Sequence, residues 1–252
     1  MKLNFKFEKL IYMRKYLLII LVLFSTIQVA QSQVLITLLL GEKLNSPNLE
    51  FGLEGGINWT QITGMETQDY AHKWNLGFYF DVRLKNQWWL YTGVLVKSDM
   101  GADKLTTGDL AFLKARIYMD SETGEAIAGD YSQKMKYFLV PLMVKYKFKN
   151  RIYLAAGSQF GLMHKSWVEF NAKVDDIDVV NKEYNKDLIN KIDAGIMLGA
   201  GYTFMNSPGM SLGLKYYEGL ANVYKGVSGT RNRSFFINLT IPIGAGKKSK
   251  DK

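Results

Sequence analysis

From Glu50 onward, apolar residues recur at every second position in eight separate segments. That period restricts the chain to strands with two chemically different faces. In the first segment, Glu50 to Thr60, the residues Phe51, Leu53, Gly55, Ile57 and Trp59 share one face, and Glu50, Gly52, Glu54, Gly56, Asn58 and Thr60 share the other. In the second, Trp74, Leu76, Phe78, Phe80, Val82 and Leu84 alternate with Asn75, Gly77, Tyr79, Asp81 and Arg83. The pattern returns over Trp88–Lys97, Phe138–Phe148, Ile152–Leu162, Ile192–Thr203, Met210–Tyr217 and Ser234–Ile243. Each stretch is about the length that a tilted strand needs to cross a bilayer, and an even number suits a closed antiparallel barrel.

The connections alternate too. Lys85-Asn86-Gln87, Lys149-Asn150 and Asn206-Ser207-Pro208-Gly209 are short, whereas Gln61–Lys73, Asp99–Gln133, Lys165–Asn190 and Glu218–Asn232 are long. Short turns at one end and long loops at the other are the asymmetry of outer-membrane barrels. The expected fold is therefore all-β: a closed, eight-stranded, antiparallel up-and-down transmembrane barrel with short periplasmic turns and long extracellular loops. Two of the long loops have room to continue as hairpins, with Ser121-Glu122-Thr123-Gly124 as a turn in one of them.

Periodicity alone leaves two ways of rolling such a sheet. A soluble lipocalin-like barrel would put the apolar set inside, around an apolar ligand; a membrane barrel would put it outside, toward lipid. Two features favour the membrane. Trp59, Trp74, Trp88, Tyr146, Phe148, Tyr202 and Phe204 stand near strand ends on the apolar face, where an aromatic girdle belongs. The polar face is rich in Gly and Tyr with sparse charges of both signs, which suits a filled interior better than a water-facing surface. Mid-strand charges on that face are Glu54, Asp81, Arg83, Lys97, Lys145, Asp193 and Lys215. In a lumen just wide enough for side chains they are expected to pair with one another as a charge network. The competing reading is a narrow polar path for protons, ions or a small solute.

At the N-terminus, Arg14 and Lys15 precede the apolar run Tyr16 to Phe24, followed by the small-residue site Ala30-Gln31-Ser32. This is the order of a secretory signal, so residues 1–32 are read as a cleaved signal peptide whose true start is Met13 or Met1. An uncleaved anchor from Tyr16 to Leu40 is the competing reading, against which Gln28, Gln31, Ser32 and Gln33 speak. Residues 33–48 form a mature N-terminal segment with the unexplained apolar run Val34–Leu40, residues 49–243 the barrel, and 244–252 a basic periplasmic tail. The whole chain carries a formal charge of +9, of which residues 1–32 contribute +4, leaving +5. The basic residues are scattered apart from the tail, which argues against nucleic acid as a partner.

The chain has no Cys, which excludes disulfides, thiolate catalysis, zinc-thiolate sites and a lipoprotein anchor. The only histidines, His72 and His164, sit near loop ends, with nothing in the spacing to join either to a Ser and an acid. No enzyme activity, catalytic residue, metal site or cofactor is expected, with an outer-membrane lipid-modifying enzyme as the third-ranked alternative. The acidic run Asp175-Asp176-Ile177-Asp178 lacks the Gly and final Glu of a calcium loop.

Several pieces resemble the PorT-like, porin-family outer-membrane β-barrels of Bacteroidetes. They are Gly41 to Trp59 (GEKLNSPNLEFGLEGGINW), Phe138 to Tyr146 (FLVPLMVKY), Gly195 to Tyr202 (GIMLGAGY) and Leu214 to Leu220 (LKYYEGL). Their order and spacing from Gly41 to Ile243 carry more than any one motif. The resemblance implies an outer-membrane barrel and no particular substrate. The end departs from it: Ile243 is followed by GAGKKSKDK instead of a terminal aromatic. The expected role is structural, binding or narrow small-solute transport without a wide pore. Outer-membrane lipid and the barrel-assembly machinery are the expected partners, together with an unidentified periplasmic or extracellular protein.

Overall fold

A computed structural model of the chain describes residues 46–174, 176–204 and 209–243. Residues 1–32, read above as a signal peptide, together with Val34–Leu40, Asp175, most of the Asn206–Gly209 turn and the basic tail, lie outside the described residues. The described residues form nine strands in order: β1 (Leu49–Ile62), β2 (Ala71–Lys85), β3 (Trp88–Ala102), β4 (Gly129–Lys147), β5 (Ile152–Val174), β6 (Ile177–Tyr184), β7 (Ile192–Thr203), β8 (Ser211–Gly219) and β9 (Asn232–Pro242). Eight of them close a ring in which every neighbouring pair is antiparallel: β1–β2–β3–β4–β5–β7–β8–β9 and back to β1. These are the eight segments that alternate in sequence.

The ninth strand comes from inside the Lys165–Asn190 connection. There β5 runs on to Val174, turns, and pairs with β6 from Trp167↔Tyr184 to Val174↔Ile177. The neighbouring β4 starts at Gly129, nine residues before the alternating segment, and pairs with β5 as far as Gly129↔Ala172. A three-stranded extension thus rises from the long-loop end of the ring. At its foot the β4–β5 register shifts between Lys136 and Tyr137. At the proposed turn, Asp120 Oδ1 accepts from the backbone N–H groups of Glu122 and Thr123 at 2.8 and 2.9 Å, and Gly124 takes φ of +70°.

The alternation sorts outside from inside. Leu198, Leu214, Leu154 and Leu142 stand on the outer wall, at 53, 59, 50 and 46 % exposure. Inward positions of the same strands, among them Met197, Tyr217, Tyr153 and Met143, are buried. A belt of this size in water would be an aggregation surface, and in lipid it is the expected coat. The lipocalin-like arrangement, with the apolar set inside, is therefore wrong for this chain. Aromatic rings edge the belt at the short-turn end, where Trp88 meets Tyr146 at 4.8 Å, Tyr146 meets Phe148 at 4.8 Å, and Tyr202 meets Phe204 at 5.6 Å. At the long-loop end Trp59 lies edge-on to His72 at 6.0 Å, and Trp74 carries the Lys97 ammonium 3.9 Å from its ring centre.

The sequence reading anticipated no helix, yet the Asp99–Gln133 connection holds α1 (Thr107–Leu113). Its start is fixed by a capping box, in which Thr106 Oγ1 accepts from Asp109 N at 3.1 Å and Asp109 Oδ2 accepts from Thr106 N at 3.1 Å. Asp109 also accepts from the backbone N–H of Glu66 and Thr67, at 2.8 and 3.0 Å, and so ties α1 to the β1–β2 loop. Leu110 and Leu113 of α1 then pack with Met65, Met100, Leu105 and Tyr224 in one buried apolar cluster. That cluster forms a cap over the long-loop mouth of the ring.

Candidate functional site

The inward faces of the strands meet in the lumen, and polar side chains fill it. Two linked groups occupy the part nearer the short turns. In the first, Lys145 Nζ donates to both oxygens of Asp81 at 2.9 Å, and Lys147 Nζ lies 2.7 Å from Asp81 Oδ2 and 3.4 Å from Glu50 Oε2. Tyr79 donates its hydroxyl to Glu50 Oε1 at 2.7 Å. In the second, Glu54 pairs with Lys215 and accepts from the Tyr91 hydroxyl, and Asn238 Nδ2 donates to it at 2.7 Å. Tyr91 joins the two groups, with Lys145 and Lys215 each 4.4 Å from its ring centre. Three carboxylates thus face three ammonium groups, so the interior is neutral at this level. A buried charge without such a partner costs several kcal/mol.

Of the seven charges read as lumenal, Glu54, Asp81, Lys145 and Lys215 come together here, and Asp193 is buried closer to the long loops. Arg83 and Lys97 do not join them, which corrects the expectation. Arg83 is exposed at the short-turn rim, where its Nε donates to Asn86 O at 3.0 Å. Lys97 follows a register shift: β2 pairs Gly77 with Leu95 but Leu76 with Lys97, so Val96 and Lys97 both turn outward and Ser98 turns in. An extra residue in one strand reverses the alternation beyond it. Sequence reasoning missed Glu50, Lys147 and the neutral partners Tyr79, Tyr91 and Asn238. Their inward parity was visible, but which of them meet is set by register.

Inward glycines make room for the tyrosines. A side chain at Gly201 would come within 2.4 Å of the Tyr153 ring, and one at Gly195 within 2.7 Å of the Tyr217 ring. A cavity remains between Tyr91, Met143, Lys145, Tyr153, Lys215 and Asn238 with about 10 Å³ of accessible space, roughly one water.

Beyond the ring, Glu169 organises the extension. It pairs with Lys134, and the Trp167 indole N–H donates to it at 2.9 Å. Burial alone would raise its carboxyl, but these donors hold it down at about 2. Among the described residues, no cluster of three or more His, Asp or Glu has the geometry of a metal site. His164 stacks on Phe138 at 4.7 Å on the outer wall and His72 is exposed beside Trp59. In the acidic run, Asp176 takes φ of +63° in the β5–β6 turn, and Lys173 lies 2.9 Å from its carboxylate.

Residues 30–225 match the family model described as an outer membrane protein beta-barrel domain. No curated protein matches the chain. Among solved structures, it is similar to Ail, the attachment invasion locus protein of Yersinia pestis, in complex with the heparin analogue sucrose octasulfate. That similarity has a TM-score of 0.38 and 9 % identity over 77 % of this chain and 97 % of the other. Neisserial surface protein A gives 0.38 and 9 % over 77 % and 96 %. OprG from Pseudomonas aeruginosa gives 0.33 and 8 % over 77 % and 91 %. With most of its length matched by the family model, its eight strands closed into a ring and its apolar face turned outward, the chain is an integral outer-membrane protein and belongs to the outer membrane protein beta-barrel domain family.

Proposed function

We propose that this barrel is a non-conducting surface scaffold whose working part is the β4–β5–β6 extension with the loops beside it, held outside the cell. The occluded lumen carries this reading: a neutralised network fills it, and the apolar cap of Met65, Met100, Leu105, Leu110, Leu113 and Tyr224 covers its long-loop mouth. A transport path would need an opening through both. The extension has the features of a recognition surface. Among the described residues β6 pairs with β5 alone, which leaves a free strand edge. Tyr184, Ile177 and Val180 are exposed on it, at 72, 67 and 53 %. An extracellular protein is the class of partner that such an edge fits.

The finer points belong to the same proposal. Cleavage after residue 32 leaves both mature ends in the periplasm, because eight crossings return the chain to its starting side. Insertion then depends on the barrel-assembly machinery and on outer-membrane lipid. The PorT-like, porin-family assignment within Bacteroidetes rests on the order of the four motifs. Planar-bilayer recording tests the core of the reading: the expected result is no stable current step, and large reproducible steps would refute it.

A further inference from the structure

The lumen has a second polar level with a different charge balance. Asp193 points inward from β7 at 3 % exposure, and none of the ion pairs among the described residues includes it. Asn232 Nδ2 donates to its Oδ2 at 3.0 Å, and the Tyr217 hydroxyl and the Ala194 backbone N–H are its other donors, all of them neutral. Its surroundings are less well matched. Both polar atoms of the Gln159 side chain, Asn232 Oδ1 and Ser234 Oγ are buried without a hydrogen bond.

Register explains why these groups share one place. On the β5–β7 pair, Gln159 lies opposite Gly195 and Asp193 opposite Gly161, so the two side chains are diagonal neighbours with a glycine across from each. The Tyr217 ring lies 2.7 Å from where a Gly195 Cβ would stand. A Gly161 Cβ would meet the Tyr137 ring at 3.0 Å and Asp193 Cβ at 3.2 Å. Ser234 lies opposite Tyr217 across β8–β9. Buried polar groups in native structures have partners, and a buried carboxylate needs a compensating charge or proton. The concentration of orphaned oxygens around one unpaired acid marks a place for a guest.

We propose that Asp193, Gln159, Asn232 and Tyr217 form a site for one monovalent cation, sodium or potassium. One positive charge neutralises the single carboxylate, and the amide and phenol oxygens supply the all-oxygen shell that hard cations take. A divalent ion would leave an excess charge in a low-dielectric interior, so one acid selects against it. The site is independent of the surface role proposed above.

The test uses the full barrel refolded in uncharged detergent. Its unfolding is followed in sodium, potassium or N-methyl-D-glucamine chloride at fixed ionic strength. Sodium or potassium should raise stability saturably: at 100 times the half-saturating concentration the folding constant increases about 100-fold. Asp193→Asn should abolish that rise, giving equal stability in all three salts. Should that variant fail to refold, Gln159→Leu should shift half-saturation upward, and sodium-23 relaxation on the unmodified protein reads binding directly. Equal stability in all three salts, with no relaxation change, would overturn the proposal and assign the level to a protonated Asp193 with buried water. A rise that survives unchanged in Asp193→Asn would overturn it as well, by placing the ion elsewhere.

Discussion

Lys215→Met removes one ammonium from the lumen and leaves Glu54 behind at 0 % exposure. Lys215 is the only cationic partner of Glu54 among the described residues; the Tyr91 hydroxyl and Asn238 Nδ2 remain as neutral donors. Breaking a buried pair on one side costs about 3–5 kcal/mol. The two surviving hydrogen bonds, each about 1 kcal/mol net, place the expectation at the lower end, about 3 kcal/mol. Asp81 provides the contrast. Lys145→Met removes the ammonium that donates to both Asp81 oxygens but leaves Lys147 at 2.7 Å from Oδ2, so Asp81 keeps a cation and the loss should be smaller, about 1.5–3 kcal/mol. Glu54→Gln combined with Lys215→Met should cost less than the two single changes added, by about 1 kcal/mol or more, because the double variant buries no unpaired charge. Denaturant unfolding in lipid vesicles, read by tryptophan fluorescence and by the gel mobility of the folded barrel, measures all four species. A Lys215→Met loss below about 1 kcal/mol, with additive double variants, would refute a desolvated, mutually dependent network.

Leu198→Arg places a cation on the lipid-facing wall and should cost about 2–4 kcal/mol in the same assay. Thr203→Ser, at the end of the same strand, should be nearly silent. Glu169 has a folded-state value of about 2, below its ordinary 4.5, so its contribution to the extension is complete above about 4.5 and is lost as pH falls toward 2. Trp167 fluorescence should follow that acid transition, and Glu169→Gln should remove it. Thr106→Ala breaks the capping box of α1 and should cost about 0.5–2 kcal/mol, read as faster tryptic cleavage at Lys104 and Lys114.

The ring strands were legible because lipid and lumen impose opposite chemistry on alternate residues. Trp74 to Leu84 carries that contrast without a break. The extension was not legible, because residues 165–174 and β6 have lipid on neither face, and Trp167, Val168, Glu169 and Phe170 are all buried in succession. Lys97 misled because one register shift is invisible in a single strand. Inward parity put Glu54 and Lys215 in the same lumen, but they are 161 positions apart, and only closure of β1 on β9 and β9 on β8 brings them into contact. The start of α1 does leave a local trace, the Thr106 and Asp109 spacing of a capping box, but seven helical residues are too few to show a period of their own.

Strand β5 is a single element of 23 residues, and about 12 of them continue past the apolar belt. At about 3.3 Å per residue and a tilt near 40°, the tip stands roughly 30 Å above the membrane surface. Nothing between the tip and the Lys149-Asn150 turn interrupts its pairing with β4 except the register shift at Lys136/Tyr137. The hairpin is therefore a stiff mast stepped into the hull of the barrel, with one joint at deck level. A load applied at Ile177 or Tyr184 is carried down two continuous strands to the opposite side of the membrane, and any bending is concentrated where the chain leaves the lipid.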